Sequence, residues 1–482
     1  MIAIDGCIGK TTTSHLNACQ GLAEVLADRG HEVSFLVTSP EKAAAIEKVG
    51  FKAIRLDSGD EASKKAGEGH GGHGHGGHGH DHSHGHSHGG HDHSHGGHSH
   101  GGHGGHDHPQ EKVKGHHHQH GGDHPVSEQA NANLARGAFA RKTPLEQLQL
   151  QMDHFSTNAH LTGNFQTTIE KTEKMAALFA DPGTRPDVLI LDTFIISPAV
   201  LQSGIPWCYL FSANPMGLYK GDRMPPFGAG FPVSVNPDPS SWTEYKALQT
   251  ALGKKAYATF QAKLNELFNL DPVLDPYKNG NFFPHSPYLN IFGYPEELSY
   301  NDVASMPDRT ISVDAFDRKV SGQEGKDFAL PEGFWSKESG EKLLFFSLGS
   351  QASANLELMR RVLKVLAKHR AKYIVSKGPN GDQLELPANC WGANYLPQPL
   401  ILPMVDAVIT HGGNNSFTET FAAGKPMLVL PVSGDHLDNA QRIEEKGYGL
   451  RLPPHDFTEE QLTQAVKKLL TDQELISKAR KA

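Results

Sequence analysis

Along most of the chain, short apolar runs with a β-branched bias alternate with stretches whose apolar residues recur every three or four positions. Ile2–Ile4, Val33–Val37 and Phe51–Leu56 read as strands. Between them, Leu16, Cys19, Leu22, Ala23 and Leu26 mark one face of a helix that Gly30 ends, and Glu41–Val49 reads as a second helix. A long helical region, Pro144–Ala180, carries Leu148, Met152, Phe155, Ile169, Met175 and Leu178. Strand Asp187–Leu191, helix Pro198–Leu201 and strand Trp207–Phe211 continue the winding. Residues 213–285, rich in Pro, Gly and aromatics, read as irregular loops and helices that would line a pocket, and Tyr288–Phe292 as another strand. A charged, glycine-containing linker at about Asp317–Lys342 precedes a second series: strand Leu343–Leu348, helix Leu356–Ala367, strand Tyr373–Ser376, a strand near Asn394–Leu396, and C-terminal helices Phe457–Leu470 and Asp472–Ala482. Such alternation predicts α/β architecture with parallel sheets covered by helices, in two domains of residues 1–330 and 331–482.

The most informative stretch is Tyr395–Asn439. Val405–Thr410 is a buried-strand pattern, and His411-Gly412-Gly413-Asn414-Asn415 breaks it with residues that tolerate left-handed backbone. Helical spacing then runs from Ser416 to Gly424, with Pro426 beyond, and Met427–Leu430 is a further strand. A strand, glycine loop and helix in this order place free backbone N–H groups and the positive end of a helix dipole at the carboxyl edge of a parallel sheet, where they favour a phosphate. The Gly349-Ser350 turn after strand Leu343–Leu348 is a second anion-binding candidate. A plainer reading stays open, because Ser416-x-x-Glu419 also fits a capping box. Near the start, Asp5-Gly6-Cys7-Ile8-Gly9-Lys10-Thr11 is similar to the phosphate loop of nucleoside-monophosphate kinases. Its glycines are too close together for GxxxxGK[ST], so a kinase using Lys10 is the weaker alternative.

Composition narrows the field. The 482 residues carry a formal charge of −9, which gives no basic footprint for nucleic acid. Four cysteines without CxxC spacing suggest reduced thiols. No signal sequence and no apolar run long enough to span a membrane are visible, so a soluble, cytoplasmic chain is expected. Residues 69–124 hold 22 of the 31 histidines among Gly, Asp and Ser. With almost nothing apolar to bury, that tract should be disordered, and its imidazoles could take up Zn²⁺, Ni²⁺ or Cu²⁺ adventitiously without defined geometry.

The ordered series Tyr395-x-Pro397-Gln398, His411-x-Gly413-x-x-Ser416-x-x-Glu419, Gly424-x-Pro426, Pro431 and Asp435 resembles the donor-binding signature of UDP-glycosyltransferases, glycosyltransferase family 1. The resemblance implies a GT-B fold, two Rossmann-like domains facing a cleft, of the soluble invertebrate or bacterial kind. It implies inverting transfer of a sugar, expected to be glucose, from a UDP-sugar to a hydroxyl of a small lipophilic acceptor, without a required cofactor or metal. It places Tyr395 against uracil, Gln398 near the nucleoside, and His411, Gly413, Asn415, Ser416 and Ser350 at the diphosphate. Glu419 would take the ribose hydroxyls and Asp435 those of the sugar. Two departures are Tyr395 in place of the more familiar Trp and His436 where Gln is usual, which leaves the choice of sugar open. The stretch His15-Leu16-Asn17-Ala18-Cys19 matches the segment bearing the family's general base, and Asp192, at a strand end, takes the position of the acid that holds its imidazolium. Taken alone, His15 could be only a helix-start residue and Asp192 only a cap or turn former. The loop before His15 is longer than usual and a final crossing helix is not seen, which suggests a looser hinge. Those departures and the histidine tract support one alternative: a catalytically impaired, transferase-like protein that acts by binding metal.

Overall fold

A computed structural model describes residues 1–6, 13–56, 141–156, 161–233, 238–277, 283–320 and 328–482. The histidine-rich tract, Cys7, Lys10 and most of the phosphate-loop candidate lie outside the described residues. Met1–Asp57 together with Gln129–Ala482 forms one compact unit.

That unit holds two all-parallel sheets. The first runs β1 (Ile2–Asp5), β2 (Val33–Val37), β3 (Lys52–Arg55), β4 (Val188–Leu191), β5 (Trp207–Phe211), β6 (Leu289–Gly293) and β7 (Thr310–Val313), in spatial order β3-β2-β1-β4-β5-β6-β7. Its register is set by pairs such as Ile4 with Phe35 and Ile4 with Ile190. The second contains β8 (Leu343–Ser347), β9 (Lys372–Ser376), β10 (Cys390–Ala393), β11 (Ala407–Thr410), β12 (Met427–Val429) and β13 (Gly449–Arg451), in order β10-β9-β8-β11-β12-β13. In each sheet the chain winds outward one way from the first strand, then returns and winds the other way. The reversal falls between β1 and β4 in one sheet and between β8 and β11 in the other, and a crevice opens at the carboxyl ends of such neighbours.

Both sheets are covered on two faces, so their strands are nearly continuous apolar runs. Side chains still alternate: Ile4 and Phe35 pack on one face of the first sheet with Ala18 and Cys19 of α1 (Thr13–Asp28), while Ala3 and Leu36 face the other way. In the second sheet Leu344 and Phe346 pack beneath α9 (Leu356–Leu366), whereas Phe345 joins the cluster that reaches Leu191 and Phe211 of the first sheet. The helical region expected over 144–180 is two helices, α3 (Pro144–Ser156) and α4 (Leu161–Ala180). The strand expected near 394–396 is β10, earlier by a few residues, because Gly392 must lie against the Val375 carbonyl, where a Cβ would stand 1.9 Å from that oxygen. Strands β7 and β13 are too short and too exposed or glycine-led to be legible from apolar runs. The remaining helices include α2 (Pro40–Lys48), α5 (Pro198–Gln202), α6 (Thr243–Ala256), α7 (Ala262–Leu267), α8 (Gly349–Ala352), α10 (Gln398–Ile401), α11 (Asn414–Ala422), α12 (Asp435–Glu445), α13 (Glu459–Thr471) and α14 (Gln473–Lys481). Cys208 and Cys390 are free thiols. Among the described residues no helix is long and apolar enough to cross a membrane.

At the carboxyl end of β1, buried Asp5 receives the Lys171 ammonium of α4 on both oxygens, at 2.8 and 2.6 Å. A buried ion pair is costly to break from one side, since the remaining charge has no counterpart. Lys171→Ala is therefore expected to lower unfolding stability by about 3–5 kcal/mol, read as a shift in the urea unfolding midpoint at unchanged slope.

Candidate active site

The crevice at the first reversal point holds a triangle of side chains. His15, in the first turn of α1, places Nδ1 2.8 Å from Asp192 Oδ2, one residue beyond β4. Ser212, one residue beyond β5, donates to the same carboxylate oxygen at 2.7 Å and stands 2.7 Å from His15 Nδ1. Asp192 is held in place by its own N–H, which bonds the Asp5 carbonyl at 2.9 Å and extends the β1–β4 ladder by one rung. Its carboxylate is buried, so two donors on one oxygen compensate the loss of water. Desolvation is the largest influence on His15 and lowers its pKa. The charge and hydrogen bond of Asp192, with the charge of Asp435, outweigh it and hold the imidazole above 6.5. With Nδ1 committed to Asp192, Nε2 remains to exchange a proton.

The loop after Asp192 is shaped from outside by a π-helical turn, Tyr257–Gln261, between α6 and α7. Gln261 donates to the Ile196 carbonyl at 2.9 Å, and Tyr277 bonds the Phe194 carbonyl. Phe194, 46% exposed, meets Phe283, which packs in turn on Phe211 and Phe227. An aromatic wall therefore adjoins the His15–Asp192 pair. A separate cavity of about 660 Å³, lined by Trp207, Tyr288 and Asp308, lies at the amino ends of β5, β6 and β7, the edge away from this pair.

The second reversal point lies opposite. Gly349 follows β8 with φ +68°, and a Cβ there would stand 2.6 Å from the His411 ring. The turn carrying Ser350 thus abuts the loop after β11, where Gly412 also needs positive φ. Helix α11 starts at Asn414 with Gly413 as its N-cap, and no side chain caps it. This corrects the capping-box reading: Ser416 lies inside the first turn, and Glu419 bonds the Gln398 amide of α10 instead. First-turn N–H groups that no side chain caps are suited to an anion. Burial pushes the Glu419 carboxyl up to about 7, partly offset by that amide. Burial also lowers His411, to which the neighbouring His436 adds, and holds His436 at about 4. The two rings meet edge to face at 4.6 Å as neutral imidazoles. Tyr395 is 65% exposed at the rim.

Helix α12 joins the two halves. Asp435 accepts the Asn214 N–H at 3.3 Å, and burial raises its carboxyl to about 6. Asp438 accepts the Gly228 and Gly230 N–H groups at 2.6 and 2.9 Å. Arg442 bonds the carbonyls of Leu298 and Ser299 and the Asp302 carboxylate, and lies 4.7 Å from the Tyr300 ring centre. Ser212, Asn214, Asp438, Asn439 and Arg442 were not singled out from sequence. The usable signal was position: the first two directly follow a strand next to β4, and the others share a helical face with Asp435.

Residues 306–479 match the family described as UDP-glucoronosyl and UDP-glucosyl transferase. Over those residues the chain is similar to the UDP-glycosyltransferases. It is 33% identical to the NDP-glycosyltransferase YjiC of Bacillus subtilis over 141 residues, 29% of this chain and 36% of that one. Human UDP-glucuronosyltransferase 1A6 is 27% identical over 311 residues, 63% of this chain and 55% of that protein. The chain thus spans about one-third to a little over half the length of these relatives. Among solved structures, the glycotransferase of kitacinnamycin aligns with a TM-score of 0.58 at 17% identity, covering 100% of this chain and 94% of that one. The calicheamicin glycosyltransferase CalG4 gives 0.55 at 16%, covering 100% and 92%. The chain has the GT-B fold, two parallel-sheet α/β halves whose carboxyl edges face each other. Among its described residues no group of three or more His, Cys, Asp or Glu side chains is placed to hold a metal ion.

The pair geometry makes a direct prediction. In Asp192→Asn the opposing charge is gone while burial remains, so the His15 pKa should fall below its wild-type value, towards or under 6.5. An NMR titration, with His15→Gln identifying the signal among the histidines, measures it.

Proposed function

We propose that this protein transfers a sugar, glucose in our reading, from a UDP-sugar to a hydroxyl of a small lipophilic acceptor, with inversion at the anomeric carbon. The observation that carries this is the proximity of two unlike sites across one cleft: Ser212 bonds the Asp192 carboxylate that holds His15, and two residues further on the Asn214 N–H bonds Asp435. A base and an acid suited to a sugar therefore share one reaction volume.

In this mechanism the acceptor lies on the aromatic wall of Phe194, Phe227 and Phe283, and its hydroxyl faces His15 Nε2. The imidazole takes the hydroxyl proton as the oxygen attacks the anomeric carbon. Asp192 stabilises the resulting imidazolium, and Ser212 holds the carboxylate in register. On the far side, the glycosidic C–O bond to the diphosphate breaks. The growing negative charge on the leaving UDP meets the N-terminus of α11 at Gly413, Asn415 and Ser416, the Ser350 turn, and a neutral His411 able to donate. Tyr395 offers a ring face to uracil, with Gln398 beside the nucleoside and Glu419 as acceptor for ribose hydroxyls. Asp435 and neutral His436 hold the sugar hydroxyls. The protein's own residues supply base, orienter and charge acceptor, so no metal is required in this scheme. The N-terminal half, to about residue 330, binds acceptor and the remainder binds donor.

The test is UDP release from UDP-glucose with a panel of phenolic acceptors in the presence of EDTA. Acceptor-dependent release that survives the chelator is expected; UDP binding without release from any acceptor would sink the proposal. His15→Ala should abolish transfer while UDP still binds, as calorimetry would show.

Activity should also fall on the acid side. The base works only when neutral, and His15 has a pKa above 6.5, so kcat/KM should rise with pH through that value. Protonation of Asp435, at about 6, adds to the loss below it. A limb that stays at or above the wild-type position in Asp192→Asn would contradict the assignment of this limb to His15.

A further inference from the structure

The segment after β5 touches both halves of the site within three residues. Ser212 bonds Asp192, and Asn214, completely buried, turns the other way into α12. Every hydrogen-bonding position of the Asn214 side chain is used. Its amide donates to Asn439 Oδ1 at 2.7 Å and to the Tyr294 hydroxyl at 3.1 Å. Its carbonyl oxygen accepts the Met216 N–H at 2.8 Å and the Tyr300 hydroxyl at 3.0 Å. Asn439, also completely buried, passes the connection on by donating to the Gly412 carbonyl at 2.8 Å. Gly412 lies between His411 and Gly413, in the loop that opens α11. Hydrogen bonds, with the short backbone step from Ser212 to Asn214, therefore link the His15–Asp192 pair to the loop facing the diphosphate, and the side chains cross from one sheet's half to the other at the Asn214–Asn439 amide–amide bond.

We propose that Asn214 is a positioning residue for transfer: with Asn439 it fixes the separation between His15 and the anomeric carbon held above the His411 loop. This rests on the transferase reading given above. The amide suits the role chemically, since it supplies two donors and two acceptor sites in one plane and is neutral, so it stays paired at any working pH. A carboxylate there could not donate to Asn439. A serine would lack the reach and one donor. Bonding of this kind, inside a dry seam, keeps one arrangement because an unmade bond would leave a buried polar group unsatisfied. The Asn214 backbone N–H reinforces the register by bonding Asp435, so the base segment and the sugar acid move together.

The experiment compares wild type with Asn214→Ser, Asn439→Ala and the double variant, each first shown to fold by circular dichroism and cooperative unfolding. For each, UDP affinity, kcat for acceptor glycosylation, and the ratio of UDP-sugar hydrolysis by water to transfer are measured. The single variants should bind UDP within about two-fold of wild type and lose on the order of 10- to 100-fold in kcat, as expected when reacting groups are displaced by about an ångström. Hydrolysis should claim a larger share of the turnover that remains, because water does not depend on the alignment of a bound acceptor. The double variant should lose no more than the worse single variant, since both cut the same path. Asn439→Ala removes no atom of the base-bearing half, so it tests the path even where Asn214→Ser proves unstable. Folded variants with wild-type kcat, or with transfer and hydrolysis reduced in equal proportion, would overturn the positioning role alone. A wild-type protein inactive on every acceptor would overturn the transferase reading and this inference with it.

Discussion

Buried polar groups must find partners, and nowhere does that rule constrain this chain more than along α12. Its sequence, DHLDNAQRIEE, is among the least apolar of the helices, yet Asp438, Asn439 and Arg442 are almost completely excluded from solvent. Their partners are largely backbone groups and amides of the other half: the N–H groups of Gly228 and Gly230, the carbonyls of Leu298 and Ser299, and the side chain of Asn214. Each such bond contributes only about 1 kcal/mol net, but leaving any of them unmade would cost more. The set is therefore satisfied together or not at all. That requirement fixes how the two carboxyl edges face, and all the chemistry argued above depends on it.

The same constraint sets protonation states. Burial raises Asp435, Asp438 and Glu419 and lowers His411 and His436. His15 moves the other way, in the direction of its charged form, because a carboxylate touches it directly. One histidine is thus prepared to accept a proton and two others to remain neutral, so three residues of one type carry different tasks. Environment makes the distinction; residue type could not.

Sheet topology explains why the site lies where it does. Winding outward from β1 and from β8 and then reversing leaves two crevices. Each crevice receives the loops of the flanking strands: the segments carrying His15 and Asp192 in one, the Gly349 turn and the His411 loop in the other. Side chains placed directly after strands inherit the rigidity of the ladder, as the Asp192 bond to Asp5 illustrates. The loop carrying Phe194 is held from outside, by Gln261 of the π-helical turn and by Tyr277.

Sequence by itself determined the order of strands and helices, the parallel α/β class and the glycine loop at His411, because apolar periodicity, glycine tolerance of positive φ and helix-end signals are local properties. It also singled out His15 and Asp192, although they stand 177 positions apart. It misjudged where α11 begins, since Ser416 and Glu419 satisfy a local capping pattern as well as a distant one, and the distant partner Gln398 prevailed. Tertiary structure alone decided that Ser212 completes the triangle, that Asn214 and Asn439 meet, and that a polar helix is buried. Those outcomes depend on which loops the two reversals bring face to face. No short stretch of sequence carries that information, because the hydrogen-bond partners are distant in the chain, 197 positions for Ser212 and His15 and 225 for Asn214 and Asn439.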